Sequence, residues 1–206
     1  MKSGDADSSH GMASGVTHTR QFVLFAALFG LLALFIAAGP AAQSASAAGP
    51  CNKWGDKQSD EVTVGHARKA VLCLINRERH SRGKGNLQRS KSLQRAAQNH
   101  NSYMQNHRCF SHQCGGEPSL TGRLQRVGWL TGGLSAWTYG ENIAWGSGNL
   151  GTPRNIVKKW MNSSGHRANI LSSRFDEIGI GYNKGTITNK SANGAVLTTD
   201  FGWKIG

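Results

Sequence analysis

The chain has 206 residues, 38% of them hydrophobic, enough for one domain of ordinary size with an appendage. Its formal net charge of +13 favours polyanionic partners such as wall teichoic acids or anionic lipid headgroups. No block of like charge marks one face, which argues against a dedicated nucleic-acid reader and leaves plain solubility as an equally good account of the charge.

The first element is a leader. A polar stretch ends in Arg20, Phe22 to Ala38 is an apolar run, and Gly39-Pro40 and an alanine/serine stretch containing Ala45-Ser46-Ala47 follow. This succession predicts a signal peptide over residues 1–48, cleaved near Ala47 or Ala48. A retained anchor is the alternative, since the run sits at the short end of the roughly 17–25 residues that span a bilayer. Membrane contact is otherwise expected only through surface charge. Pro50 stands where a lipoprotein signal carries a small residue, so lipidation at Cys51 is not expected, and the lone Arg20 gives no twin-arginine route. Lys2, Arg20, Asp5 and Asp7 are the only charges in 1–48, two of each sign, so cleavage leaves the net charge at +13.

Residues 49–62 read as an N-terminal extension and 63–206 as the folded domain. Ala67, Ala70, Val71, Leu74 and Ile75 fall at helical spacing within 64–79. Gly83-Lys84-Gly85 breaks that helix, and Ser90 or Ser92 caps a second one carrying Leu93, Ala96, Ala97, His100, Met104 and His107 on one side. His100 sits within this stripe and is read as a hydrogen-bonded core or edge residue. Residues 118–127 predict a short third helix, followed by a loop to Tyr139 and an extended segment over 142–145. Thr152 and Pro153 open the next helix as N-cap and first position, with Ile156, Val157, Trp160 and Met161 buried and Gly165 as its terminator. His166 then opens a further helix behind Ser163 or Ser164. Ile178, Ile180 and Tyr182 alternate with glycines in one strand, residues 196–203 form another, and Asn193-Gly194 supplies the turn between them.

All four cysteines, Cys51, Cys73, Cys109 and Cys114, follow the expected cleavage point, and an even count in an exported domain reads as disulfides. Of the three pairings, Cys51–Cys73 with Cys109–Cys114 is favoured; a zinc site built from Cys109, Cys114 and His107 or His112 is the rival.

Three words carry the chemistry: Phe110-Ser111-His112, Gly140-Glu141-Asn142, and WMNSSGHRANIL from Trp160 to Leu171. Gly140 is expected to let the chain turn Glu141 inward. His166 falls in the first turn of a helix, where the dipole favours the neutral imidazole that binds metal or accepts a proton. Glu141 can orient an imidazole, bind a cation, act as general base, or simply anchor its loop. A serine nucleophile at Ser111, Ser163 or Ser164 is the weakest reading, because no G-x-S-x-G elbow is present.

From Val64 to Trp203 the order and spelling of these words, with a Gly-Ile-Gly strand and a closing Asp-Phe-Gly strand, resemble the CAP superfamily of cysteine-rich secretory, antigen 5 and pathogenesis-related class 1 proteins. The likeness is strongest to its short secreted bacterial branch. The resemblance implies an α+β fold, a three-layer α-β-α sandwich with a small, largely antiparallel sheet. It implies a cleft lined by His112, Glu141 and His166, with Ser163 and Asn142 alongside, in which the two histidines hold a divalent metal such as zinc. Larger members carry a second glutamate in a V-x-x-W-x-x-E pattern; Val157 and Trp160 match, but Ser163 takes the glutamate's place. The resulting expectation is a secreted protein of the cell envelope that binds a lipid, a wall polymer or another ligand. The alternatives are a metal-assisted hydrolase with Glu141 as general base, and a passive disulfide-stabilised envelope protein. Oligomeric state is not legible.

Overall fold

The computed structural model describes residues 49–190 and 192–206, so the predicted signal segment and its cleavage point lie outside the described residues. A four-residue helix, α1 (Pro50–Lys53), leads into α2 (Val64–His80). Thr63 caps α2 by accepting a hydrogen bond from the His66 N–H. After the two-residue strand β1 (Gln88–Arg89) come α3 (Lys91–His107) and α4 (Leu120–Arg126), the latter capped by Ser119, which accepts from the Gly122 N–H. The long strand β2 (Ala136–Ser147) passes through a 3-10 turn to α5 (Pro153–Met161), whose cap is the Thr152 hydroxyl. Helix α6 (Ser164–Leu171) and strands β3 (Glu177–Lys184) and β4 (Gly194–Ile205) complete the chain.

The strands form one sheet in the order β1-β3-β4-β2. Both long pairings are antiparallel, Gly179 facing Asp200 and Glu141 facing Asp200 across the two sides of β4, while β1 pairs parallel with β3. One face carries Ile178, Ile180, Tyr182, Leu197 and Phe201 against Val71 and Ile75 of α2 and Ile156 and Trp160 of α5. On the other side Leu93 and Ala96 of α3 pack with Leu124 and Trp129, and Met104 with Ile143 and Val196. The result is the expected α+β three-layer sandwich, with the small sheet between two helical layers.

Gly179 and Gly181 explain how tightly α3 lies on the sheet. A Cβ at the first would collide with the Leu93–Gln94 backbone, and at the second with the Ala97 carbonyl. The alternation of glycine with Ile178, Ile180 and Tyr182 thus gives β3 one flat face for a helix backbone and one bulky face for the core. On the other helical layer, buried Arg79 donates to the carbonyls of Ile170 and Ser172, 2.8 Å each, and so fixes the end of α6 against α2.

Cys51–Cys73 and Cys109–Cys114 are the two disulfides, and no free cysteine remains among the described residues. Zinc held by Cys109 and Cys114 is thereby overturned, since a disulfide sulfur has no thiolate to offer a metal. The boundaries differ from expectation in three places. Strand β2 begins at Ala136, because twelve residues pair in unbroken register with β4 where a loop was expected. Helix α5 ends at Met161 with Asn162 as its right-handed C-cap, and Gly165 lies inside α6. Asn193 is bound by the side chains of Ser59 and Gln58 at the end of a loop spanning 185–193, so it does not form a two-residue hairpin turn.

The packing of α3 on β3 yields a contrast between two glycines. Gly181→Ala is expected to lower stability by about 1–3 kcal/mol through overpacking, whereas Gly165→Ala, with nothing within 4 Å of the added Cβ, is expected to be neutral or slightly stabilising. Urea midpoints measure both. An unchanged midpoint for Gly181→Ala would contradict the close approach.

Candidate functional site

Glu141 lies in the middle of β2, and its side chain is almost wholly buried. Gly140 has no left-handed backbone; what it supplies is room. A Cβ there would come within 2.9 Å of Asn169 Oδ1 and 3.1 Å of the Phe175 ring. The Asn169 amide in turn donates to the Glu141 carbonyl at 3.1 Å and to Asn142 Oδ1 at 2.9 Å, which ties α6 to the strand.

Both carboxylate oxygens of Glu141 are engaged. Oε1 is 2.8 Å from His112 Nδ1, and Oε2 accepts from the Arg123 guanidinium of α4. Arg123 also donates to the His112 carbonyl at 2.9 Å and lies 3.4 Å from Glu117. Glu117 meets Nδ1 of the fully buried His100 at 2.8 Å. One arginine therefore holds two buried carboxylates and the backbone of the loop that presents His112. That loop is the ring closed by Cys109–Cys114, and it leaves the His112 side chain 60% exposed above the carboxylate.

The electrostatics follow from this packing. Burial pushes the Glu141 carboxyl up, but the His112 hydrogen bond and the fields of Arg123 and His100 outweigh it, so its proton is held less tightly than in an ordinary glutamic acid. The Glu141 hydrogen bond raises the proton affinity of His112 against the opposing effect of burial. His166, at the third position of α6, moves the other way: burial first, then the charges of His112 and Lys159, lower its proton affinity. Its Nδ1 is buried and has no hydrogen-bond partner among the described residues. The two imidazoles thus sense one another, with one favoured as the cation and the other as the neutral base.

Asp200, opposite Glu141 on β4, is fully buried, and among the described residues neither of its oxygens meets the geometry of a hydrogen bond. Burial, and then the negative charge of Glu141, hold its proton well above the ordinary range against the pull of Arg123. The neutral acid is the form this position accommodates at moderately acid pH.

Of the residues expected to line the cleft, His112 and Glu141 are in direct contact, and His166 lies within their electrostatic reach. Asn142 does not line it. Its side chain is fully buried, pointing to the opposite face of β2 from Glu141, and donates to the His166 carbonyl at 3.0 Å. It is a positioning residue for α6. Ser163 is the N-cap of α6 without a side-chain cap bond, and it lines a neighbouring cavity with Trp145 and Lys159. Sequence reasoning passed over Arg123, Glu117 and Asp200. A buried arginine between two glutamates has no short sequence signature; the available signal was that Arg123 falls on the apolar side of a short helix beside Leu124.

For a metal, the donor set is two imidazoles. The carboxylate on His112 Nδ1 leaves Nε2 as that ring's ligating atom, the arrangement that orients metal-binding histidines, and His166 brings a neutral ring with an unpartnered nitrogen. No cluster of three or more His, Cys, Asp or Glu side chains suited to a metal occurs among the described residues. The chemistry of these two rings would suit a two-nitrogen site with open positions.

The family model described as CAP, cysteine-rich secretory protein family, matches residues 72–199. Protein YkwD of Bacillus subtilis (strain 168) is 38% identical over 120 residues, 58% of this chain and 44% of that protein. Membrane protein YlbC of the same organism is 30% identical over 118 residues, 57% of this chain and 32% of that protein. The chain therefore matches less than half the length of either relative. Among solved structures, an outer surface protein from Borrelia burgdorferi superposes with a TM-score of 0.56 at 17% identity, over 72% of this chain and 98% of that one. An extracellular protein containing an SCP domain from Bacillus anthracis str. Ames gives 0.51 at 24% identity, over 68% and 43%. These two share the fold.

Two measurements test the buried network. Arg123→Met is expected to cost about 3–5 kcal/mol of stability, because it leaves Glu141 and Glu117 buried without their cation. Asp200 binds its proton more tightly folded than unfolded, so its ionisation destabilises the fold progressively as pH rises from its ordinary 3.8 through its folded value. Asp200→Asn should therefore gain stability relative to wild type as pH is raised above about 4. A melting-temperature difference that stays flat with pH would contradict this.

Proposed function

Because the chain belongs to the CAP family, we propose that it is an exported binding protein of the cell envelope, with His112, Glu141 and His166 marking its ligand cleft. Export is supported by the two disulfides, which persist in oxidising compartments, and by the leader-like residues 1–48. The two structural neighbours, one an outer surface protein and the other extracellular, point the same way. The ligand classes that suit a basic envelope protein are an anionic wall polymer or lipid.

One observation carries the choice of binding over hydrolysis: both oxygens of Glu141 are already committed, to His112 and to Arg123. A general base works best with a proton affinity near the operating pH, and this carboxylate is held below even its ordinary value. Its role is to orient and charge His112. Ser163 stands in the place of the second glutamate of larger members, which also removes one candidate base.

Zinc or a similar divalent ion would be held by His112 and His166, and when bound it would supply a Lewis acid able to fix an anionic or carbonyl oxygen of the ligand. This chain's own contribution is to aim the His112 ring through Glu141 and to keep His166 neutral. Isothermal titration with zinc is expected to give one site that weakens at least tenfold in both His112→Ala and His166→Ala. Affinity should rise with pH as His112 gives up its proton. Binding unchanged in both variants would refute the shared site. Release of product from purified wall or lipid fractions, abolished in Glu141→Ala, would establish the hydrolase instead.

A further inference from the structure

Beside the cleft lies a cavity of about 710 Å³, within the roughly 300–1,000 Å³ usual for ligand pockets. Its walls come from the end of β2, the 3-10 turn and the α5–α6 junction. Trp145 is 39% exposed and Leu150 70%, large apolar groups left in solvent on either side of Gly146 and Ser147. The opposite wall holds Lys158 and Lys159, both exposed and neither in an ion pair among the described residues. Between the lysines and the tryptophan stand polar side chains: Asn162 and Ser163 make no side-chain hydrogen bond among the described residues, and Asn155 spends only its amide N–H, on the Asn149 carbonyl.

We propose that this cavity is a subsite for an acidic sugar chain, one bearing carboxylate or phosphate groups. The proposal rests on the binding reading above and extends it by naming the ligand class. The mixture of groups selects among occupants. An alkyl chain laid in the cavity would strip water from amide and hydroxyl groups without replacing their hydrogen bonds, an unfavourable exchange at each one. A sugar ring presents an apolar face that can stack on an indole and a hydroxyl edge that can bond amides. The two lysines add point charges for an acidic substituent, and Glu78, which shares a neighbouring pocket with Lys158, is already paired with Arg82.

The geometry calls for an oligomer and not a single ring. Trp145 stands four residues, about 13 Å, along β2 from Glu141, and since Ile143 between them is buried under α3, a ligand spans that distance along the outer edge of this edge strand. Ser163 lines the cavity and His166 stands one turn further along the same helix start. A chain lying along β2 passes Trp145 and Lys159 on its way to His112 and His166.

The test uses the mature chain, titrated calorimetrically with hexagalacturonate and with phosphorylated maltohexaose, against plain maltohexaose and phosphatidylglycerol vesicles. At least one acidic hexamer is expected to bind at least tenfold tighter than the neutral one, and that preference should collapse in 0.5 M salt. Trp145→Ala and the double variant Lys158→Gln/Lys159→Gln should each weaken binding at least tenfold, while the zinc isotherm of Trp145→Ala, which removes no charge near His166, stays as in wild type. The lysines are exposed, so the double variant tests the site without risk to the core. Failure of both acidic hexamers, binding indifferent to these substitutions, or capture by vesicles alone overturns the subsite. Normal zinc binding alongside such a failure leaves the cleft reading standing; loss of the zinc site with the acidic-hexamer binding intact overturns the cleft reading and leaves the subsite.

Discussion

The placement of the Glu141–His112 pair depends on a single buried guanidinium. Arg123 reaches Glu141 on β2, Glu117 before α4 and the His112 carbonyl in the disulfide ring, so the ring, the turn before α4 and the strand meet at one cation. Burying charges is costly, and the arrangement is tolerable only because each partner is hydrogen-bonded. Removing Arg123 therefore leaves two carboxylates, Glu141 and Glu117, buried without their cation. The Arg123–Glu141 pair fixes the chemistry. With Arg123 on one oxygen, Glu141 stays ionised inside the protein and offers its other oxygen to an exposed imidazole.

The sandwich around this cation is what makes the placement repeatable. Helix α3 rests its backbone on Gly179 and Gly181, which sets the distance from His100 to the sheet. On the other layer Arg79 fixes the end of α6, while Asn169 and Asn142 fix its face, so His166 is presented at a defined point beneath the edge of β2. Asp200 completes the interior as an acid that the fold holds in its protonated form over an unusual pH range. One side of the sheet edge is thus rigid and charged, and the cavity next to it is open and basic.

Much of this was legible from residue patterns. Apolar stripes located α2 and α3, and the Thr152 cap with Pro153 located α5, because these signals act over a few residues; the Thr63 cap of α2 emerged only from the structure. The cysteine pairs and the His112, Glu141 and His166 words were legible for the same local reason. What escaped depended on partners far along the chain. The start of β2 is set by pairing with β4 across more than fifty residues, and Trp137 and Thr138 carry no mark of it. Asn142 looked like a cleft residue because it adjoins Glu141, yet strand alternation turns it to the opposite face, where the His166 carbonyl awaits it. Arg123 looked like one surface cation among 24 lysines and arginines.

The central claim is that Glu141 is a buried anchor, held ionised at neutral pH, that aims and charges His112. Titration of the Glu141 side-chain carboxyl carbon and the His112 ring by NMR tests it directly. The account predicts that Glu141 titrates below its ordinary 4.5 and His112 above its ordinary 6.5. A carboxyl that titrates near neutrality, with His112 at or below 6.5, would contradict it and return Glu141 to the role of a base.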